Sequence, residues 1–458
     1  MYFKQLVKED LGCASYIVGC INEGVCAVVD PRLDMVDDIL ELATAKGMRV
    51  QAVIETHNHA DHISGHGEIA RRTGATIYIH EQAQAEYPHQ KLKDGDEMAL
   101  GVAKLRVMHT PGHRPEHIAI AVSDTSRSED PWLVLTGDSL FVGDVARPDL
   151  AVPGEEGANA LYDSIFERLL QLEDGVEVYP AHVAGSLCGR GMNPKTSSTI
   201  GFERKHNLAA APRPRAAFIA DLNENLPQRP PNMANIVERN RKDYAHQEAA
   251  LEPLPLDALA FQREMESGAQ VIDTRSPRQF CNGHIPGVVQ VYLRGNSFAT
   301  RAGFVVSPEG RLLLVVKDER DLREAITQLA VVGFDQVVGY LDGGMAAWRE
   351  AGLPEQQLEQ LSIDELHEIY HGQTVLDVRD RSEWDEGHIK GAKHIPYYFV
   401  EERCGELDSS GPLVVICAGG QRSTIACSIL QKQGFKQLLN VLGGMDTWNR
   451  VGFETVRK

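Results

Sequence analysis

Two groups of residues in this chain have the types and the spacing for chemistry. The first is a run of imidazoles and carboxylates: Thr56-His57-Asn58-His59-Ala60-Asp61-His62, then His109-Thr110-Pro111-Gly112-His113, Thr136-Gly137-Asp138 and Pro180-Ala181-His182. Each segment follows an apolar stretch of strand character, at residues 50–54, 105–108, 132–135 and 177–179. Strand ends aim side chains into one crevice while the sheet holds them rigid, which is what a multidentate metal site requires. His66, His80, His89, His109 and His117 stand outside this ordered set and read as solvated or hydrogen-bonding residues. The second group is Cys417-Ala418-Gly419-Gly420-Gln421-Arg422-Ser423, placed between an apolar strand at 413–416 and a helical segment at 424–433 that Gly434 ends. A Gly-rich loop of this kind curls backbone N–H groups around the sulfur. With the helix N-terminus and Arg422 they favour a thiolate. Cys417 is therefore a candidate nucleophile.

The elements that must position these residues fall into two halves. The first 220 residues or so read as strand-rich α/β. The second half repeats itself: Val271-Ile-Asp-Thr-Arg275 matches Val375-Leu-Asp-Val-Arg379, and Gly283-His-Ile-Pro-Gly287 matches Gly387-His-Ile-Lys-Gly391. The match resumes at Gly333-Phe334 with Gly434-Phe435 and at Gly343-Gly-Met-Ala-Ala-Trp348 with Gly443-Gly-Met-Asp-Thr-Trp448. A period of about 100 residues is a whole domain, and alternating strand and helix patterns predict a small parallel-sheet α/β module in each copy. The copies are unequal. Where the second has Cys417, the first runs from Leu313-Leu-Val-Val316 into Lys317-Asp318-Glu319-Arg320 without a cysteine, and its two acids would repel an anionic sulfur. That copy is expected to be silent, a spacer, docking surface or stabiliser. At roughly 150 residues per domain, the expected division is 1–245, 246–355 and 356–458, with the first boundary in the Pro-rich polar stretch 223–257.

The ordered set Thr-His-x-His-x-Asp-His, His, Asp, His resembles the metallo-β-lactamase superfamily over about residues 1–223, which implies an αββα sandwich. The strand-Asp-x-Arg, Gly-His-Ile and Gly-Gly-Met-x-x-Trp series resembles the rhodanese family over about 254–458, with a Cys417 loop of sulfurtransferase length. The resemblances imply an α/β protein in which a metal domain precedes two rhodanese-like domains with parallel sheets. All seven superfamily ligand positions are filled: His57, His59 and His113 for one metal, Asp61, His62 and His182 for another, with Asp138 between them. Two Zn(II) on this set would hydrolyse a thioester, as in glyoxalase II. The alternative is one Fe(II) per chain on His57, His113 and Asp138, with His59, Asp61, His62 and His182 outside the ligand set; this is the persulfide dioxygenase arrangement. A module carrying sulfur on Cys417 favours the dioxygenase, and the fusion looks like bacterial multidomain persulfide dioxygenase and sulfurtransferase proteins. The expected function is oxidation of a low-molecular-weight thiol persulfide to sulfite, coupled to sulfane-sulfur transfer on Cys417. A thioester hydrolase with an appended sulfur carrier and a non-catalytic sulfur-binding scaffold are the rivals.

Composition narrows the partners. Against 65 Asp plus Glu there are 46 Lys plus Arg, a balance of −19 that repels nucleic acid and anionic lipid. An anionic substrate then needs local cations, and Arg147 and Arg190, in loops after the Asp138 and His182 strands, are candidates to hold the carboxylate or phosphate of a glutathione, coenzyme A or similar persulfide. Each reads equally well as a surface arginine paired with a nearby acid. Cys188 lies six residues after His182, near enough to accept sulfur, and reads equally as a packed thiol. The eight cysteines show no C-x-x-C pairing, so free thiols are expected. O2, sulfite and thiosulfate complete the expected small-molecule partners, and a homo-oligomer is allowed for. Charges at Lys4, Lys8, Glu9 and Asp10 leave no signal-peptide core, and no run of about 18 apolar residues occurs. A soluble, cytoplasmic protein is expected.

Overall fold

The computed structural model describes residues 1–224, 226–242, 252–295 and 297–457. The chain divides into two compact units, one of residues 1–248 with 331–333 and one of residues 249–330 with 334–458. The boundary expected at 245–246 lies outside the described residues.

The first unit is built on two six-stranded sheets. One runs in the order Tyr2–Lys8, Cys13–Cys20, Val25–Val29, Arg49–Ile54, Thr76–His80, Gln90–Leu92. The other runs Ser198–Thr199, Glu177–Pro180, Leu133–Gly137, Ile118–Asp124, Ala103–His109, Glu97–Leu100. Their inner faces share one core, with Tyr16, Val29 and Ile54 of the first sheet meeting Val107, Ile120 and Leu135 of the second. Because side chains alternate along a strand, Ile17, Val28 and Val53 fall on the outer face, where Ile39 of helix Val36–Ala45 and Ile69 of helix His66–Thr73 cover them. Val134 and Val178 of the second sheet are covered likewise by Leu161 of helix Gly154–Tyr162 and Phe218 of helix Arg215–Asn223. The result is the αββα sandwich that the resemblance implies. Strands covered on both faces need apolar or small residues throughout, and Cys13–Cys20 and Leu133–Gly137 are buried along their whole length.

The second unit holds two five-stranded sheets of matching topology. Their orders are Leu254–Leu256, Val337–Leu341, Leu312–Val315, Gln270–Asp273, Val289–Gln290 and Glu359–Leu361, Leu438–Val441, Leu413–Ile416, Thr374–Asp377, Lys393–His394. All strand pairs in both are parallel. The repeated motifs acquire a physical reason. Arg275 Nη2 donates to Asp273 Oδ2 at 2.5 Å and to the Gly283 carbonyl at 3.0 Å, and Arg379 Nη2 donates to Asp377 Oδ2 at 2.6 Å and to the Gly387 carbonyl at 2.8 Å. Asp-x-Arg and Gly-His are thus two parts of one buried hydrogen-bonded unit, present once per copy. The helix Gln421–Lys432 that follows Cys417 is buried from 423 to 430. It lies against Leu413–Ile416 and Leu438–Val441 of its own sheet and also against Val289–Gln290 and Pro277–Asn282 of the preceding copy. The Gln290 backbone N–H donates to Ser428 Oγ at 3.1 Å across that contact.

Removing Asp377 would leave the Arg379 guanidinium buried without its partner. Asp377→Ala is expected to lower unfolding free energy by about 3–5 kcal/mol. Urea titration followed by tryptophan fluorescence reads this unit selectively, since Trp348, Trp384 and Trp448 lie in it and Trp132 alone lies in the other. Glu406→Ala, which breaks the exposed pair with Arg403, should leave the midpoint nearly unchanged.

Candidate metal centre and cysteine loop

The loops that follow Arg49–Ile54, Ala103–His109 and Leu133–Gly137 converge and bring His57, His113 and Asp138 together, with ligand atoms all within 4.8 Å of one another. His113 Nε2 lies 3.4 Å and His57 Nε2 3.8 Å from Asp138 Oδ2, and all three side chains are fully buried. His57 Nε2, His113 Nε2 and Asp138 Oδ2 have no hydrogen-bond partner. Each residue's other polar atom is held. The Thr56 hydroxyl donates its one hydrogen to Asp30 Oδ2 at 2.8 Å, so its oxygen accepts from His57 Nδ1 at 2.9 Å. His113 Nδ1 lies 3.1 Å from the Arg147 carbonyl, which can only accept, and His182 Nδ1 lies 2.7 Å from Asp138 Oδ1. Both imidazoles therefore turn an unprotonated Nε2 toward the free carboxylate oxygen. Burial, with the neighbouring imidazoles His59, His117 and His113, holds His57 well below the usual histidine range, and burial lowers His113 as well. Burial acts to raise Asp138, but the adjacent His182 more than offsets it and keeps the carboxylate well below its usual range.

Three backbone features fix this arrangement. The Asp138 N–H donates to His117 Nε2 at 2.8 Å, which makes that nitrogen the acceptor and leaves His117 Nδ1–H for the Thr110 carbonyl at 3.0 Å. Burial lowers His117 to about 4, consistent with a neutral ring. Gly137 stands against the same imidazole with φ +50°, where a Cβ would come within 2.5 Å of His117 Nε2. Asp30 holds φ 48°, a left-handed conformation that costs a non-glycine residue on the order of 1 kcal/mol. Its carboxylate offsets that by accepting from the Thr56 N–H at 2.7 Å and from the Thr56 hydroxyl.

The other expected ligands form separate groups. Asp61, His62 and His182 meet Cys13, and their candidate ligand atoms lie within the same 4.8 Å limit. His182 Nε2 is 2.7 Å from Asp61 Oδ2 and His62 Nδ1 is 3.2 Å from Asp61 Oδ1. Burial opposes protonation of both rings, but Asp61 and Asp138 keep His182 well above its ordinary value and Asp61 raises His62 to about 10. Burial would raise Cys13, yet His62 and His182 bring it down to about 7. His59 groups instead with two buried acids, its Nε2 3.2 Å from Asp30 Oδ1 and 3.7 Å from Glu55 Oε2.

In the loop region of the second unit, Cys417 is buried and its sulfur accepts the Gly420 N–H at 3.0 Å, with Ser423 Oγ at 3.4 Å. Gly420 has φ +95°, the left-handed turn that aims its N–H at the sulfur, while Gly419 stands beside Asp446. Arg422 does not reach out alone: Nη1 meets Asp380 at 2.7 Å and Nη1 and Nη2 meet Glu383 at 2.5 and 2.7 Å. The cations expected to hold an anion near the metal are likewise engaged. Arg147 is buried, its guanidinium on Asp149 at 2.8 and 3.0 Å and on the Pro227 carbonyl at 2.8 Å, and its backbone carbonyl is what positions His113. Arg190 bonds the Asp221 carbonyl at 2.7 Å and its carboxylate at 3.2 Å. Cys188 is buried in a group with Asp138 and His182, and burial with the Asp138 charge pushes its thiol up to about 12.

Comparison with known proteins agrees with both halves. Residues 9–182 match the family described as Metallo-beta-lactamase superfamily, and residues 257–351 and 362–450 match Rhodanese-like domain. The chain carries a metallo-β-lactamase domain followed by two rhodanese-like domains. A metallo-beta-lactamase from Staphylococcus aureus superposes with a TM-score of 0.67 at 28% identity, covering 74% of this chain and 98% of that one. A hydroxyacylglutathione hydrolase of Polaromonas sp. is 32% identical over 37% of this chain and 61% of its own length. The mitochondrial persulfide dioxygenase ETHE1 of Bos taurus is 27% identical over 44% of this chain and 74% of its own length. Among the described residues no helix is long and apolar enough to cross a membrane.

Sequence reasoning missed four residues of the metallo-β-lactamase domain's centre. Asp30 carries the same mark as the expected ligands, since it ends the apolar strand Val25–Val29. Glu55 directly follows Arg49–Ile54. His117 has an anchoring role that its isolated position conceals, and nothing near Cys13 in sequence announces Asp61 or His182. The Asp30–Thr56–His57 chain makes a test. Thr56→Val keeps every candidate ligand but removes the acceptor for His57 Nδ1–H, and it is expected to weaken metal binding by about 10- to 100-fold in competition with a chelator. Unchanged affinity would mean that Thr56 does not orient the ring.

Proposed function

We propose that the metallo-β-lactamase domain is a persulfide dioxygenase holding one Fe(II) on His57, His113 and Asp138, and that Cys417 is its partner sulfur carrier. The observation that carries this reading is the convergence of His57 Nε2, His113 Nε2 and Asp138 Oδ2, all buried and unpartnered, within 4.8 Å of one another; the Nε2 atoms of His59, His62 and His182 are unpartnered as well, in the neighbouring groups. Unpaired buried polar atoms are costly and native folds avoid them, so three aimed at one point fit a cation. Two imidazoles and one carboxylate are the donor set of mononuclear non-haem iron. Bound there, Fe(II) supplies open coordination positions for the terminal sulfur of a low-molecular-weight thiol persulfide and for O2. The overall change converts persulfide, O2 and water into thiol and sulfite.

The chain's own residues do the positioning. Thr56 and the Arg147 carbonyl fix the tautomers of the two imidazoles, burial keeps both rings neutral, and His182 occupies Asp138 Oδ1 so that only Oδ2 faces the triad. A thioester hydrolase of the hydroxyacylglutathione kind would instead draw on His59 for the first metal. His59 Nε2, 3.2 Å from Asp30 Oδ1 and 3.7 Å from Glu55 Oε2, is itself without a hydrogen-bond partner and available to that metal, so the dioxygenase reading rests on the sulfur carrier in the same chain and on the likeness to persulfide dioxygenase. In the second active part, the Gly420 N–H and the start of helix Gln421–Lys432 stabilise negative charge on sulfur at Cys417. The thiolate attacks a sulfane sulfur and holds it as a persulfide for return to sulfite or a thiol.

Anaerobically prepared protein loaded with iron should take up O2 when given glutathione or coenzyme A persulfide, and Asp138→Ala should abolish the uptake. Cys417→Ser should retain O2 uptake while losing thiosulfate formation. Two zinc ions per chain, turnover of a glutathione thioester and no O2 uptake would replace the dioxygenase with a hydrolase.

A further inference from the structure

The Cys-less rhodanese copy does more than space the domains. Its helix Phe298–Val305 carries Arg301 to the catalytic loop of the other copy, where Arg301 Nη1 donates to Gln421 Oε1. Gln421 directly follows Gly420, whose N–H caps the Cys417 sulfur. The same helix sets Phe304 on Tyr398 in a stacked contact at 4.8 Å and edge-on to Tyr397 at 5.8 Å. Gly295, just before this helix, has no side chain because a Cβ would come within 2.5 Å of Gln421 Oε1. The placement of Arg301 is therefore held at three points.

Charge makes this placement informative. The Arg422 cation is matched by two carboxylates, Asp380 and Glu383, so the second copy alone presents an excess of negative charge at its own sulfur. Arg301 is half-buried, feels the charges of Arg422 and Asp380, and forms no ion pair with a carboxylate among the described residues. A half-buried guanidinium hydrogen-bonded to one neutral amide retains several donors for a further acceptor. An oxyanion supplies what it lacks.

We propose that Arg301 of the Cys-less copy is the oxyanion-binding residue of the Cys417 site, holding the sulfonate oxygens of thiosulfate, or sulfite, while sulfur is transferred; this rests on the reading of Cys417 as the sulfur carrier. In the step itself the Cys417 thiolate forms a bond to the sulfane sulfur of thiosulfate. The sulfur–sulfur bond of thiosulfate breaks, and sulfite departs with the electron pair while the negative charge of the thiolate passes to the new persulfide. The reverse, persulfide plus sulfite, gives thiosulfate and regenerates the thiolate. Arg301 touches only the oxygens, so its contribution depends on the donor's charge.

The test uses the full chain with thiosulfate and with a neutral organic trisulfide as alternative sulfur donors, cyanide being the acceptor. Arg301→Gln should lower the ratio of kcat/KM for thiosulfate to that for the trisulfide by about tenfold or more, chiefly through KM. Arg301→Lys should restore most of the ratio. An unchanged ratio, or an equal loss with both donors, would overturn the assignment, the second outcome marking Arg301 as a structural wedge between the copies. The underlying reading is checked separately by intact mass: wild type exposed to thiosulfate should gain one sulfur atom and Cys417→Ser should gain none. Failure of that measurement removes Cys417 as the carrier, and the Arg301 role with it, whatever the kinetic ratio.

Discussion

The first unit is organised around the cost of keeping several imidazole nitrogens and one carboxylate oxygen without partners in a dry interior, three of them within 4.8 Å of one another. Left to relax, His57, His113 and Asp138 would rotate to hydrogen-bond one another or reach water, and the free energy of each unpaired group favours that collapse. What prevents it is a partner behind each one: Thr56 and Asp30 behind His57, the Arg147 carbonyl behind His113, His182 and the His117-held backbone behind Asp138. These partners arrive from strands of both sheets, so the sandwich core and the convergence of donors are one requirement seen twice. The strained Asp30 backbone and the obligatory Gly137 are local consequences of the same demand.

Much of this was legible in the chain as letters, for identifiable reasons. A strand that ends in a ligand leaves an apolar run followed by His or Asp, and four such junctions in order specify the αββα scaffold and its crevice. Two copies of Asp-x-Arg with Gly-His are legible because a buried guanidinium admits few substitutes for its carboxylate. What could not be read was partnership across the fold. Arg147, Arg190 and Arg422 look like anion hooks when only their loops are considered, yet each meets acids or carbonyls, some of them brought from distant segments. His59 looks interchangeable with His57 within one motif, and only the packed position of Asp30 and Glu55 distinguishes them. Cys13 joins Asp61 and His182 through strand pairing that no local pattern encodes.

The cysteines show how burial sorts chemically identical groups. Desolvation raises Cys26 and Cys281 to about 11, and Cys427 well above its ordinary value, which suits inert packing. Cys417 has a backbone N–H aimed at its sulfur from a glycine in the left-handed region, a local dipole that favours negative charge there. That dipole comes from the loop's backbone and not from exposure, since Cys417 is itself buried.

The helix Gln421–Lys432 has no wet side between residues 423 and 430, because one flank belongs to its own sheet and the other to the preceding copy. A duplicated domain whose partner lacks the nucleophile is easily taken for a relic that could be trimmed. Here the two copies are halves of a single folding unit: the first can change its loop chemistry freely, but it cannot be deleted without turning the interior of the second into surface. Lacking the cysteine and being dispensable are separate properties in this architecture, and the first copy has only the former.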